Sequence, residues 1–413
     1  MGAHALLAPS SAKRWMTCTP SARLEAKVPE RDTLYTREGT VAHAMAEYIL
    51  GYYLSGNYTQ FPGGDDEVQA VISDIRKGLD YPFVTGLRRH IEEAESLGVD
   101  GCEMFEIVHE HYCRIVFEAY LVAKSIDPNA ELLIEARLKL TEFIPEGFGS
   151  SDAVIIADKT LEVFDLKYGK GVRVEAENNP QMMCYALGAY AGPAETYFID
   201  KVQMTIIQPR LRHVSSWEIT ELELVEWAYN VLKPAASRAF IGEGPQVPGD
   251  HCKFCKVAAK CRALAEHTLA ISAQKQEPGV MTLEEIAAIL PHFSTIKSWM
   301  NSVEEYALEA ALEGDEVPGF KVVEGKSNRK FKSDEEVRKA LKEAGIPEDS
   351  YLKPRELKTI TELEKTLTKK GFKTILGDLV IKPEGKPTLV EESDPREPFC
   401  KAKNDFKDII ENL

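Results

Sequence analysis

Residues 149 to 171 read GSSDAVIIADKTLEVFDLKYGKG. Two apolar runs of strand length flank a turn-prone Asp-Lys, which is the pattern of a hairpin. Asp152 stands at the entrance of the first run, and Asp165-Leu-Lys167 closes the second. Residues two apart on a strand face the same side, so Asp165 and Lys167 point together. Burying such groups costs several kcal/mol each unless they are paired, and a divalent metal would offset that cost. The hairpin brings Asp152 and Asp165 to one margin of a sheet, and carboxylate oxygens suit Mg²⁺ or Mn²⁺. Lys167 could then orient and help deprotonate a water while the metal polarises a phosphoryl oxygen, which describes phosphodiester hydrolysis. On spacing alone the same residues also fit strand ends at a solvent edge.

Working outward, ELLIEARLKL from 131 and TYFIDKVQMTIIQP from 196 are further strands. NPQMMCYALGAYA from 179 returns to helical spacing, and WEITELELVEWAYNVLKPAASRAF from 217 reads as helix throughout. Upstream, residues 9 to 55 form two helical pieces, opening at Ser10 or Ser11 and at Thr40, with His43 and Glu47 on one face. Val68, Val71, Ile72, Ile75 and Leu79 make 65 to 96 helical, whereas EMFEIVHEHYCRIVFEAYLVA from 103 fits helix or strand. IGEGPQVPGD leads to a cysteine cluster. The pattern is α/β over residues 1 to 269, followed by a mainly helical α+β accessory domain over 270 to 413. Within the latter, 319 to 324 reads as a polar strand, EEVRKALKEAGI and TELEKTLTKKGF as amphipathic helices, and GKPTLVEESDPREP as an extended tail. GFKVVEGKSNRKF reads as a basic hairpin or a plain surface turn.

The 413 residues are 44% hydrophobic and 28% charged, ordinary globular usage. No apolar run approaches the roughly 18 residues of a spanning helix, and the start lacks a signal-peptide pattern, so a cytoplasmic protein without membrane association is expected. A formal net charge of -16 argues against coating nucleic acid by general electrostatics. A nuclease needs only a local basic path, for which Lys167, Lys170 and Arg173, Arg210 and Arg212, Lys253 to Arg262, and Lys326 to Lys332 are candidates; each also reads as a solvated face.

Eight cysteines in such a compartment point away from disulfides and toward metal. Cys252, Cys255 and Cys261 form C-x2-C-x5-C, which lacks the paired knuckles of most zinc ribbons; four thiolates also suit an iron-sulfur cluster. Cys102, Cys113, Cys184 and Cys400 read as buried or incidental thiols.

Gly39 to His43 (GxxxH), Gly149 to Asp152 (GxxD), Asp165 to Lys167 (DxK) and Gln181 to Tyr185 (QxxxY) occur in the order of the RecB-type nucleases, which the chain resembles over about residues 9 to 265. Those enzymes belong to the PD-(D/E)XK superfamily. Cys18 in CTPSARL, with the three later cysteines, resembles the iron-sulfur branch that includes AddB and the CRISPR adaptation nucleases, in which one early and three late cysteines hold a four-iron cluster. The resemblance implies a restriction-endonuclease-like mixed central sheet flanked by helices, with a 4Fe-4S staple closing a loop from Cys18 to Cys252 and zinc as the alternative. It makes Asp152, Asp165 and His43 metal ligands, Lys167 the catalytic lysine, and Gln181 and Tyr185 residues that shape the site and contact the strand. Glu135 is an extra carboxylate or an edge-strand surface charge.

Ser151, where the superfamily name has proline, disfavours a sequence-specific restriction enzyme. PSSAKRWMTC, GTVAH and GKPTLVEESD resemble a family that bacteriophages and prophages encode, which implies a role in phage replication or recombination inside a bacterial host. GxxxxGK[ST] is absent, so no helicase is expected in the same chain. The expected activity is a metal-dependent DNA exonuclease acting on ends or single strands, with DNA and a phage single-strand-binding or recombination protein as partners. The rivals are a structure-selective endonuclease, a DNA-binding protein with a vestigial site, and a zinc-stapled scaffold.

Overall fold

The structure is a computed structural model, and it describes residues 5–29, 33–56, 65–272, 282–325, 330–353, 356–357, 360–381 and 387–391. Helices come first: α1 (Ala12–Thr17), α2 (Ser21–Glu25), α3 (Leu34–Ser55), α4 (Asp65–Arg76), α5 (Pro82–Ser96), α6 (Gly101–Val108) and α7 (Arg114–Ile126). Thr33, not Thr40, opens α3: its side chain accepts the Thr36 N–H, and Thr36 bonds back to the Thr33 backbone. The early turns escaped the sequence pattern because Leu34 and Tyr35 face solvent and the apolar stripe starts at Val41. The single helix expected from 65 to 96 is broken at Gly78, whose φ of 72° suits glycine, with Pro82 opening α5.

The segment that fitted helix or strand is helical, and α6 and α7 are joined by a π-turn at His109–Cys113. Met104, Phe105, Val108, Tyr112, Cys113, Val116 and Phe117 are all buried along it. The inserted residue shifts the buried stripe around the helix, which blurred the 3.6-residue period in the sequence.

Five strands follow, in spatial order β1 (Glu131–Lys139), β2 (Phe148–Ala157), β3 (Lys159–Leu166), β4 (Ile199–Gln208) and β5 (His213–Thr220). All neighbours are antiparallel except β3 and β4, whose parallel pairing needs the crossover that α8 (Pro180–Tyr190) supplies. Strand alternation divides the core. Ala153, Ile155 and Ala157 join α3 to α7 on one face, whereas Val154 and Ile156 join α1 and α8 on the other. Each fully buried aliphatic side chain there stabilises by about 1.5–3 kcal/mol relative to exposure. The protein is thus mixed α/β, a five-stranded mixed central sheet flanked by helices.

The helix expected from Trp217 starts later, because Trp217 to Thr220 are the second half of β5. In this edge strand Val214, Ser216, Glu218 and Thr220 face solvent while polar His213 and Ser215 face inward, so no apolar alternation marks its start. Helix begins only where Thr220 and Glu223 form a capping box, giving α9 (Glu221–Trp227) and, after a π-turn, α10 (Lys233–Ile241); α11 (Arg262–Ser272) follows the cysteine loop.

Contacts divide the chain into Met1–Ile296 and Lys297–Leu413, whereas the sequence reading set the change after residue 269. Helix α12 (Leu283–Ile289) precedes α13 (Phe293–Glu313), which carries the change of unit. The second unit contains β6 (Phe320–Glu324), β7 (Lys330–Phe331), α14 (Asp334–Glu343), α15 (Glu348–Tyr351), β8 (Leu352–Lys353), β9 (Glu356–Leu357), α16 (Ile360–Leu376), β10 (Val380–Ile381) and β11 (Pro387–Glu391). Val337, Leu341, Tyr351, Leu363, Phe372 and Leu376 form its small core. GFKVVEGKSNRKF does not fold on itself, since β6 pairs with β11 and β7 with β10. Residues 326–329, the tail beyond 391 and Cys400 lie outside the described residues. Among the described residues no helix is long and apolar enough to cross a membrane.

Candidate metal centre and cysteine pocket

Register lines up three carboxylates. Ile134 pairs with Ala153 and Ala136 with Ser151, which sets Glu135 opposite Asp152. The β2–β3 ladder begins at Ala153 and Phe164, so one step further sets Asp152 opposite Asp165. Glu135 has a left-handed φ of 48°, a conformation costing on the order of 1–3 kcal/mol for such a residue. The two-residue alternation slips there: Leu133 and Ala136, three apart, face the same core.

Asp152 bridges elements. Its Oδ1 lies 3.0 Å from His43 Nδ1 on α3, and its Oδ2 accepts the Leu166 N–H at 2.6 Å, a backbone group the open ladder leaves unused. Burial works against a charged His43, but the hydrogen bond and charge of Asp152 outweigh it and raise the imidazole's pKa. Burial, then the charge of Asp152, pushes the Glu135 carboxyl up to about 7. One ligand atom each from His43, Glu135 and Asp152 lie within 4.8 Å of one another. Two carboxylates and an imidazole at such range repel unless a cation or proton joins them, and the donor set fits a divalent ion.

Asp165 is 2% exposed, and burial raises its pKa against the opposing charge of Lys167. Gln181 Nε2 donates to its Oδ1 at 2.8 Å. Lys167 Nζ lies 2.9 Å from Oδ2, an ion pair that balances part of the buried acid's charge. Gln181 Oε1 accepts from Lys167 Nζ at 3.0 Å, so one amide holds both the acid and the lysine.

The N-terminus of α8 aims that amide: Asn179 Oδ1 accepts the Gln181 N–H at 3.0 Å, and Pro180 starts the helix. Gln181 Nε2 also donates to the Tyr185 hydroxyl at 3.2 Å, and burial drives that phenol's pKa upward. Gly149 has a steric reason to be glycine, because a Cβ there would stand 2.8 Å from the Pro9 ring and 3.1 Å from the Tyr185 ring. A Cβ on Gly39 would meet nothing within 4 Å.

Of the expected ligands, His43, Glu135 and Asp152 form the close trio and Asp165 stands outside it, held with Lys167 and Tyr185 by the Gln181 amide. Sequence reasoning missed a neighbouring pair. Arg210, expected on a basic path, instead pairs with Glu38 of α3, and its guanidinium lies 4.9 Å over the Tyr168 ring. Glu38 sits five positions before His43 and Tyr168 follows Lys167, so the pair ties the histidine helix to the Asp165 strand. Nothing in the spacing of 38 and 210 announced it.

Cys18, Cys252, Cys255 and Cys261 line one pocket together with Arg14 and His251; it holds about 380 Å³ of atom-free space, counting solvent at its mouth. No three of their sulfurs lie within 4.8 Å of one another. Burial raises the pKa of Cys252 and pushes that of Cys255 up to about 12. Glu25 accepts from Arg14 Nε at 2.8 Å and from the Lys256 N–H at 2.7 Å, which fastens α2 to the cysteine loop across more than two hundred residues. Cys113 and Cys184 are buried and Cys102 partly so, outside this pocket.

The chain belongs to the family described as "Protein of unknown function (DUF2800)", whose model matches residues 4–397. A solved structure described as "Crystal structure of SSO0001" is similar over 48% of this chain and 98% of that one, at 16% identity and a TM-score of 0.20. A likeness of that size says nothing about activity.

Proposed function

We propose that this chain is a divalent-metal-dependent deoxyribonuclease, an exonuclease that hydrolyses phosphodiester bonds at DNA ends or in single strands. The observation that carries the reading is the row of Glu135, Asp152 and Asp165, flanked by His43 on one side and by the Lys167–Gln181 pair on the other. Mg²⁺ or Mn²⁺ held by His43, Glu135 and Asp152, with Asp165 as a further carboxylate, would polarise the phosphoryl oxygen and offset developing charge.

The chain's own groups have distinct tasks. Asp165 and Gln181 fix the Lys167 ammonium, which orients the attacking water and the phosphate oxygens. Tyr185 stays a neutral phenol and backs the Gln181 amide. Beyond Lys167, the segment with exposed Lys170 and Arg173 gives phosphates a local basic path. Gln208 pins it, accepting the Val174 N–H at 2.8 Å and donating to the Val172 carbonyl at 2.9 Å.

The cysteine pocket is proposed as a 4Fe-4S staple. What supports it is that Cys18, Cys252, Cys255 and Cys261 line one pocket, together with the sequence resemblance; zinc remains the alternative occupant. Association with phage replication or recombination in a bacterial host, with a single-strand-binding or recombination protein alongside, is proposed from the sequence resemblance.

The test compares 5′- and 3′-labelled single-stranded, duplex and circular DNA under each metal, with Asp165→Ala as control. Stepwise shortening from ends, lost in the variant, supports the proposal. Cleavage of closed circles would replace exonuclease by endonuclease. Tight DNA binding without cleavage under either metal would leave a binding protein.

A further inference from the structure

The π-turn between α6 and α7 directs several polar side chains inward, and all but one find partners. His109 bonds to Tyr53 through Nε2 and to Glu110 through Nδ1, each at 2.9 Å, and Arg114 lies 3.3 Å from Glu110. Tyr112 differs. It is fully buried, yet its hydroxyl has no hydrogen-bond partner. Leaving a hydroxyl in that state costs about 1–3 kcal/mol, more than a phenylalanine would at the same position.

Its surroundings suggest what the hydroxyl is kept for. Cys113, the next residue, reaches the Ala46 carbonyl at 3.8 Å, which sets the π-turn against α3 within one turn of His43. Tyr112 shares its core with Ala153 and Ile134, the neighbours of Asp152 and Glu135, and with Leu166, the neighbour of Asp165. Burial, and then the charges of Asp152, Cys113, Asp165 and Glu135, drive its ionisation far up, so at neutral pH it can only donate or accept as a phenol. π-Turns occur often at functional sites because the extra residue re-aims side chains.

We propose that Tyr112 is a buried positioning residue of the metal centre, its hydroxyl donating a hydrogen bond to the carboxylate row when that row holds a divalent cation. This rests on the metal-site reading of His43, Glu135 and Asp152. It assigns a purpose to a group that otherwise only destabilises the fold.

The test is Tyr112→Phe in the full-length chain, with two readouts apart from cleavage: the melting temperature without metal and the affinity for Mn²⁺ by calorimetry. The expected result is an unchanged or higher melting temperature, since an orphaned hydroxyl has been removed, together with Mn²⁺ binding weakened about tenfold. Affinity within twofold of the native chain, while Asp152→Asn weakens binding tenfold or more, would overturn the role of Tyr112 and leave the metal site standing. A native chain with no Asp152-dependent Mn²⁺ site would overturn both.

Discussion

His43 Nδ1 lies 3.0 Å from Asp152 Oδ1, although 109 positions separate the two residues. The contact joins a helix on one face of the sheet to the mouth of a strand. If both side chains hold one ion, His43→Ala and Asp152→Asn each weaken Mn²⁺ binding on the order of tenfold to a hundredfold, and the double variant loses less than the sum. Calorimetric titration of the four proteins checks this; strict additivity would mean that the two do not share an ion.

Glu135 makes stability depend on pH. The unfolded carboxyl ionises near 4.5 and the folded one near 7, so the metal-free native state keeps a proton that the unfolded chain has lost. Its contribution is therefore full below about 4.5 and is lost as pH rises through 7. The raised pKa of His43 acts in the same direction, its share being lost as pH climbs above the ordinary histidine range. Melts across this range should show stability of the metal-free protein falling, with a shallower fall in Glu135→Gln. Mn²⁺ displaces the Glu135 proton and needs a neutral His43 imidazole, so its apparent affinity should rise with pH through about 7.

Gln181 touches both Asp165 and Lys167, at 2.8 and 3.0 Å, which makes its amide a support of the lysine. Gln181→Ala should lower kcat on the order of tenfold or more while Mn²⁺ affinity stays within about twofold. Equal losses in both would make Gln181 a support of the ion rather than of the lysine.

The Arg210–Glu38 pair has side chains only 15% and 11% exposed. Removing one partner of such a pair strands the other, so Arg210→Ala should cost on the order of 3 kcal/mol in denaturant unfolding. Arg210→Met with Glu38→Leu should cost less than either single change, because no buried charge remains.

Why some of this was legible in the sequence and some was not follows from range. The hairpin from 149 to 171 is local, so period-two alternation and the Asp152 to Asp165 spacing together placed two acids at one margin. Helix α8 was equally plain because Asn179 and Pro180 mark its start. Strand β5 and the early turns of α3 were lost because their exposed residues carry no apolar period. The slip at Glu135, the orphaned Tyr112 hydroxyl and the Glu38–Arg210 pair depend on tertiary contact, and no short spacing encodes them.

The cysteine pocket gives a separate outcome. Anaerobically purified protein should be brown and carry about four irons per chain, and Cys255→Ser should lose colour and melt at lower temperature. A colourless preparation holding zinc would make the staple a mononuclear one.

The most direct measurement is anomalous diffraction at the manganese edge from crystals soaked in Mn²⁺. A single strong peak bounded by His43, Glu135 and Asp152, with Asp165 Oδ2 turned toward it, is the predicted result. A difference map with no peak among those side chains, or with manganese bound only elsewhere, would contradict the account.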